Sequence, residues 1–176
     1  NTFFAAGEDL SQGAQKKLLL DCFDFGGEGI WSTSLDLEGE HRARALCFGH
    51  EGDLLVVGDL RLSAEQPWQQ AWFLFDLEGE LQAYSSLASA EGDHLARAVT
   101  LVPEGLGGGF VVAGALQNQF ALTRLNSALD TLWTRSWPLI AGYDGLAHDV
   151  KFTTRGGLLA CGQMYHDDFE WTTRKS

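Results

Sequence analysis

The sequence is poor in the residues that break, cross-link or anchor a chain. Its 176 residues include three prolines, three cysteines and one methionine. No apolar run approaches the roughly 20 residues that a membrane-spanning helix needs. Three cysteines without a Cys-x-x-Cys pair disfavour a disulfide framework and, more strongly, a zinc site built of cysteines. Cys161 ends an apolar run, where we expect it to act as a small buried hydrophobic residue.

Basic side chains are also scarce. The sequence has 12 Lys and Arg against 24 Asp and Glu, and its formal net charge is −12. Proteins that bind nucleic acid neutralise phosphates with basic side chains, so this charge disfavours a nucleic-acid partner. It equally disfavours anionic membrane surfaces. Solubility explains the charge, and a basic partner or a cation is compatible with it but not required.

Glycine, by contrast, is abundant, with 21 residues, and it marks a repeat. Four apolar segments end in a glycine: Phe3–Gly7, Leu54–Gly58, Phe110–Gly114 and Leu158–Gly162. Their glycines lie roughly 50 residues apart, a period typical of repeat architectures such as propellers. The repeat is therefore the main signal for the fold.

Each of these segments belongs to a longer unit. An alanine-bearing strand and a glycine-rich turn precede three of them, and a polar loop, a third apolar stretch, a turn and an aromatic-bearing fourth strand follow. The unit is four strands joined by turns and one loop, without sustained helical spacing, so we predict an all-β chain. The units span approximately residues 1–42, 43–95, 96–146 and 147–176.

Residues 92–137 carry this unit most fully. They contain an acidic turn, an alanine-bearing first strand, Gly-Gly-Phe entering the second strand, then Leu-Asn and a following Leu-Trp. The order resembles a β-propeller repeat of bacterial secreted proteins and lipoproteins. The resemblance implies four-stranded antiparallel blades and an extracellular or cell-surface location, but not one activity, because loops differ on a shared scaffold.

The units do not add up to a closed ring. The chain opens in a second strand and ends in a third, with the last stretch at Phe169 to Thr173. We count about three and a half blades, whereas a propeller ring takes roughly four to eight. We expect either a fragment of a longer propeller, two chains that complete one ring, or strands supplied by another subunit.

The loops that enter the first strands carry the candidate binding residues. The resemblance places these loops on one face, near the central channel. The candidates are Glu40, His41, Asp93, His94 and Asp144 in or near the loops, and Arg44, Arg97 and His148 at one matching position of the first strands. One interpretation is a polar ring at the channel mouth that binds a ligand or a cation. The other, which we favour, is that the acids cap their loops and pair with the arginines between blades.

Six tryptophans raise the possibility of a glycan site. Trp31 and Trp133 share one repeat position, with Tyr84 between them, which favours packing between blades. Trp68 follows Pro67 in a long polar loop and is the predicted exposed aromatic.

No catalytic motif is present, and no segment has the spacing of metal ligands, so we predict no catalytic residue, no metal and no cofactor. The leading hypothesis is a non-enzymatic β-propeller scaffold that presents loops for protein–protein or surface binding. Its partner would be another protein or a second copy of the chain. The alternatives are a lectin-like propeller and a propeller hydrolase or lyase with its site at the channel mouth.

Overall fold

The regular secondary structure of the described residues is almost entirely β-strand, as the sequence predicts. The structure, a computed structural model, describes residues 2–10, 16–88, 92–138, 143–153 and 155–166. These residues form thirteen strands and one short 3-10 turn at Glu104–Leu106. The strands are β1 (Thr2–Asp9), β2 (Lys17–Asp24), β3 (Gly29–Ser34), β4 (Glu40–Phe48), β5 (Leu54–Arg61), β6 (Gln69–Phe75), β7 (Leu81–Leu87), β8 (His94–Leu101), β9 (Phe110–Leu116), β10 (Gln119–Leu125), β11 (Thr131–Trp137), β12 (Tyr143–Phe152) and β13 (Leu158–His166).

The strands form four antiparallel sheets in which sequence neighbours pair. The first sheet contains β1, β2 and β3, the second β4 to β7, the third β8 to β11, and the fourth β12 and β13. The predicted four-strand unit is thus confirmed in the second and third sheets. No sheet of the described residues closes on itself. The stretch predicted as a last strand, residues 169–173, lies outside the described residues.

Three apolar clusters lie between consecutive sheets. One joins Leu18 and Leu20 of the first sheet to Val56 and Phe73 of the second. Corresponding clusters join the second sheet to the third and the third to the fourth. The core is therefore a series of interfaces between stacked sheets, as in repeat proteins whose units each contact their neighbours.

Each first strand is bulged at the same place. In β4, β8 and β12 the register shifts by one residue directly after an alanine. The residues at the shifts are Arg44, Arg97 and His148, the same three that the sequence places at one matching position. A β-bulge leaves one residue outside the backbone pairing of its sheet and re-aims its side chain. The bulges therefore give these three side chains a shared direction, away from that pairing.

The glycines of the repeat lie opposite these bulges. Gly58, Gly114 and Gly162 each pair with the alanine that precedes a bulge. A Cβ atom built on any of them would overlap the carbonyl oxygen of the residue before that alanine, namely Arg42, Leu95 or Leu146. The glycine pattern read from the sequence therefore records a close approach between the first and second strands of each sheet.

The turns between the last two strands of the first, second and third sheets share one mechanism. A side-chain oxygen of Asp24, Asp76 or Asn126 accepts backbone N–H bonds from the turn that follows it. In the Asp76 turn, Gly79 has a φ of 88°. Asp76–Gly79 is therefore a turn with a left-handed glycine.

Cys161 corrects one expectation. It is exposed on β13, whereas its apolar surroundings in the sequence predict a buried residue. The reason is that the adjacent Ala160 packs against the third cluster, so Cys161 points to the opposite face of its sheet, which no other sheet of the described residues covers. Cys22 is buried, and burial raises the pKa of the partly buried Cys47 thiol to about 12.

Candidate functional site

Two of the predicted residues, Arg44 and Arg97, meet at a carboxylate that the sequence analysis missed. Asp59 follows Gly58 on β5 and is fully buried. Its Oδ2 accepts from Arg44 Nε at 3.0 Å and from Arg97 Nη1 at 3.3 Å. Its Oδ1 accepts the Ala96 backbone N–H at 2.9 Å. One buried carboxylate thus ties the bulge of the second sheet to that of the third through charge-assisted hydrogen bonds.

The same arrangement reaches back to the first sheet. Arg44 Nη1 also lies 3.4 Å from Oε1 of Glu8, and Lys16 Nζ lies 3.2 Å from Oε2 of Glu8. Glu8 follows Gly7 just as Asp59 follows Gly58, so an acid directly after the glycine of the repeat is the sequence signal that locates both. We call the series Glu8, Arg44, Asp59 and Arg97 the inter-sheet ladder.

The ladder ends at Arg97. Ala115 and Gln163 follow the corresponding glycines of the third and fourth sheets, and neither carries a charge. His148 occupies the bulge of β12 and is exposed, and Asp144 lies opposite Tyr165 at the start of that strand. In the described part of the chain, no hydrogen bond or ion pair joins either residue to the ladder.

The loop acids Glu40 and Asp93 hold the loops together locally. Oε1 of Glu40 accepts from Arg61 at 2.7 Å, and Oδ1 of Asp93 accepts the Trp68 backbone N–H at 2.9 Å. Loop capping by these acids agrees with the structural interpretation of the sequence. The arginines of the bulges, however, pair with Asp59 and Glu8 and not with the loop acids.

The prediction that Trp68 is exposed is wrong. Its relative exposure is 7%. The guanidinium carbons of Arg42 and Arg61 lie 3.8 Å and 4.4 Å from its ring centroid. The polar loop before Trp68 suggests an exposed position, but the two arginines of neighbouring strands cover the ring through cation–π contacts.

A repeated backbone hydrogen bond fixes the entry of each new sheet. A residue near the start of the incoming strand donates to the residue just before the last strand but one of the preceding sheet. The bonds are His41 N to Lys16 O at 2.8 Å, His94 N to Trp68 O at 2.8 Å, and Gly145 N to Asn118 O at 2.7 Å. His41 and His94 therefore share a junction position, and this explains their matching places in the sequence.

The imidazoles at these junctions are buried and neutral. His41 is fully buried, with its ring edge-on to Phe73 at 6.1 Å between centroids. Neither ring nitrogen of His41 has a hydrogen-bond partner among the described residues. Burial, aided by the charge of Lys17, lowers the pKa of His41 to about 4, and burial also lowers the pKa of His94. Both rings are therefore placed for packing and not for proton exchange with a ligand.

Open grooves lie at the end of the strands opposite to these junctions. One groove of about 480 Å³ is lined by Glu51, Asp53, Asp76 and Glu78, which belong to turns of the second sheet. A neighbouring groove of about 310 Å³ extends it to the third sheet. In the described ranges, no group of three His, Cys, Asp or Glu side chains is arranged to hold a metal ion. In the same ranges, no helix has the length and apolar character to cross a membrane.

Comparison with known proteins shows a similarity in fold to a solved structure, without a match in sequence family. No protein-family model matches the chain, and no curated protein matches it. A crystal structure of a protein of unknown function from Bacteroides caccae is similar, with a TM-score of 0.54 and 10% identity over 87% of this chain. The match covers 54% of that protein, so the chain spans about half the length of this structural neighbour.

Proposed function

We propose that the chain is a non-enzymatic β-propeller scaffold that presents its loops for protein–protein or surface binding. The four-stranded sheets are its blades, and the extracellular or bacterial cell-surface location follows from the repeat that the sequence resembles. The observation that carries the proposal is the inter-sheet ladder. The charged residues that an enzyme would need at a channel mouth are instead used to hold one sheet against the next.

The junction histidines support the same conclusion. A general acid or base needs a pKa near the working pH and a proton path to its substrate. His41 has a pKa of about 4 and is fully buried, beside an aromatic ring. The loops, in contrast, are free to vary without disturbing the ladder, and loops on a rigid scaffold are the usual carriers of binding function.

The two ends of the stack support a larger assembly. At one end, Phe3 of β1 is 46% exposed. At the other, Leu159 and Met164 of β13 are 65% and 49% exposed. Every residue of β11, the outer strand of the third sheet, is exposed as well. Exposed apolar surface of this kind marks an interaction site, so we propose that further sheets, from another protein or a second copy, cover these ends.

The lectin-like alternative loses its main residue, because Trp68 is buried. The repeat position that Trp133 shares with Trp31 is a packing position in the first sheet. Trp31 lies so close to Gly79 of the next sheet that its ring would obstruct a Cβ there. Trp133 itself is 36% exposed.

Two measurements test the proposed function. Light scattering coupled to size exclusion should show a discrete assembly, such as a dimer near twice 19.2 kDa. A panel of glycoside, ester and polyuronide substrates should show no turnover. A strictly monomeric chain would contradict completion by a second copy. Turnover that disappears in both His41→Ala and His94→Ala would contradict the scaffold and support the hydrolase or lyase alternative.

A further inference from the structure

Gly7 differs from the other three glycines of the repeat. It takes the same place in β1 as Gly58, Gly114 and Gly162 take in their second strands. Those three face the backbone of a bulged first strand, which leaves no room for a Cβ atom. A Cβ atom on Gly7 would meet no described atom within 4 Å. The first sheet therefore keeps the glycine of the close approach, whereas the strand that would approach it is not among the described residues.

The carboxylate beside Gly7 belongs to Glu8, which takes the place in the first sheet that Asp59 takes in the second. Asp59 binds the bulge arginine of its own sheet, Arg44, and that of the next sheet, Arg97. Glu8 binds Arg44 of the next sheet, while the place of an own-sheet arginine is taken by Lys16 from its own hairpin. The edge of β1 thus offers an acid at the position where a bulged cation arrives in the second sheet.

We propose that the outer edge of β1 binds an extended polypeptide segment with the chemistry of a first strand. In this docking, an alanine lies opposite Gly7, the next residue is a bulged arginine that pairs with Glu8, and the segment runs antiparallel to β1. Backbone hydrogen bonds to the edge supply affinity, and the bulge and the cation supply selectivity. The proposal holds for a scaffold or an enzyme, because it depends only on the sheet edge.

The occupant is a separate segment of this chemistry and not an intact second copy. Every first strand among the described residues is already paired with its own second strand, as β4 with β5, β8 with β9 and β12 with β13. Charge complementarity with Glu8 also selects an arginine-bearing segment. An edge-to-edge dimer through two copies of β1 would place Glu8 against a strand that carries no arginine.

A labelled peptide tests this directly. The peptide copies residues 92–102, which include Ala96, Arg97 and no cysteine, and its binding to the full chain is followed by fluorescence anisotropy. We expect saturable binding that weakens about tenfold or more in Gly7→Ala, because the new methyl group would meet the incoming carbonyl oxygen. Gly29→Ala is the matched control. Its Cβ atom also meets nothing within 4 Å, and it lies on β3, away from this edge.

Two further readouts locate the binding. Hydrogen exchange should slow in β1 when the peptide binds, and a peptide with glutamate in place of arginine should bind more weakly. Protection in β9 and not in β1 would mean that the peptide displaces β8, and would overturn the proposal. Equal binding to wild type and Gly7→Ala, no binding at all, or a chain dimer unaffected by Gly7→Ala would overturn it as well.

Discussion

At the scale of single residues, Asp59 carries an unusual share of the contacts between sheets. It is fully buried, yet both arginines that it binds keep about a quarter of their side chains exposed. A buried carboxylate of this kind is stable only while its partners stay in place, because an unpaired buried charge is costly. Removing its charge should in turn leave two arginines without their shared anion.

Asp59→Asn tests this contribution. Asparagine keeps an oxygen for the Ala96 N–H but loses the charge, so we expect the free energy of unfolding to fall by about 2 kcal/mol, a value reduced for the solvent exposure of the arginines. Urea denaturation at pH 7 measures the change, and Asp36→Asn at an exposed position is the control. A loss within experimental error of that control would show that the ladder does not stabilise the stack.

His41 should make stability depend on pH. Its folded pKa of about 4 lies below the ordinary 6.5, so the unfolded state takes up the proton first. Stability is then complete above about pH 7 and decreases as the pH falls toward 4, by about 3 kcal/mol in total. In His41→Phe, which keeps an aromatic ring beside Phe73, this decrease should be smaller. Denaturation at pH 7 and pH 4.5 compares the two proteins, and parallel losses would contradict the assignment.

The environments of Trp68, Asp59 and Cys161 are set by neighbours distant in the sequence. Contacts from other strands or sheets place Trp68 and Asp59, whereas Cys161 is exposed because no described sheet covers its face of β13. The long polar loop before Trp68 predicts exposure, but Arg42 and Arg61 arrive from β4 and β5 to cover it. Loop acids such as Asp93 are easier to interpret, because their partner is a nearby backbone N–H in the same junction.

At the scale of elements, the glycine pattern predicts the strands but not the reason for the glycines. Alternation and turn residues are local, so the four-strand unit is visible in the sequence. The bulge is not local, since it depends on how β8 meets β9. Gly114 has room only for hydrogen, because the Leu95 carbonyl oxygen occupies the position of a side chain.

Gly114→Ala should therefore be strongly destabilising. The added methyl group would meet backbone and not a movable side chain, so we expect a loss of about 3 kcal/mol or more in the free energy of unfolding. Gly29→Ala, with open space around its Cβ atom, should change stability little. Urea denaturation of both variants measures the difference. Similar stabilities would show that the first strand can move away from β9 without cost.

At the scale of the whole molecule, the central strands bury opposite faces in different interfaces. On β5, Leu54 and Val56 face the first sheet, whereas Leu55 and Val57 face the third. The near-continuous apolar sequence of β5 is consistent with a strand covered on both faces. It does not reveal how many sheets follow, because each interface is specified only by its two neighbours. The number of sheets in a complete stack is therefore not specified by one repeat.

Nearest-neighbour packing predicts that damage to one interface stays local. Val111 and Val112 are adjacent on β9 and fully buried, but Val111 faces the fourth sheet and Val112 the second. Each change to alanine should cost about 2 kcal/mol by leaving a cavity. Hydrogen exchange read strand by strand should show β12 and β13 losing protection in Val111→Ala, with β1 and β2 unchanged. Val112→Ala should instead lower the hydrogen-exchange protection of strands in the second and third sheets. Equal loss in all four sheets would mean that the stack unfolds as one cooperative unit and not as a chain of interfaces.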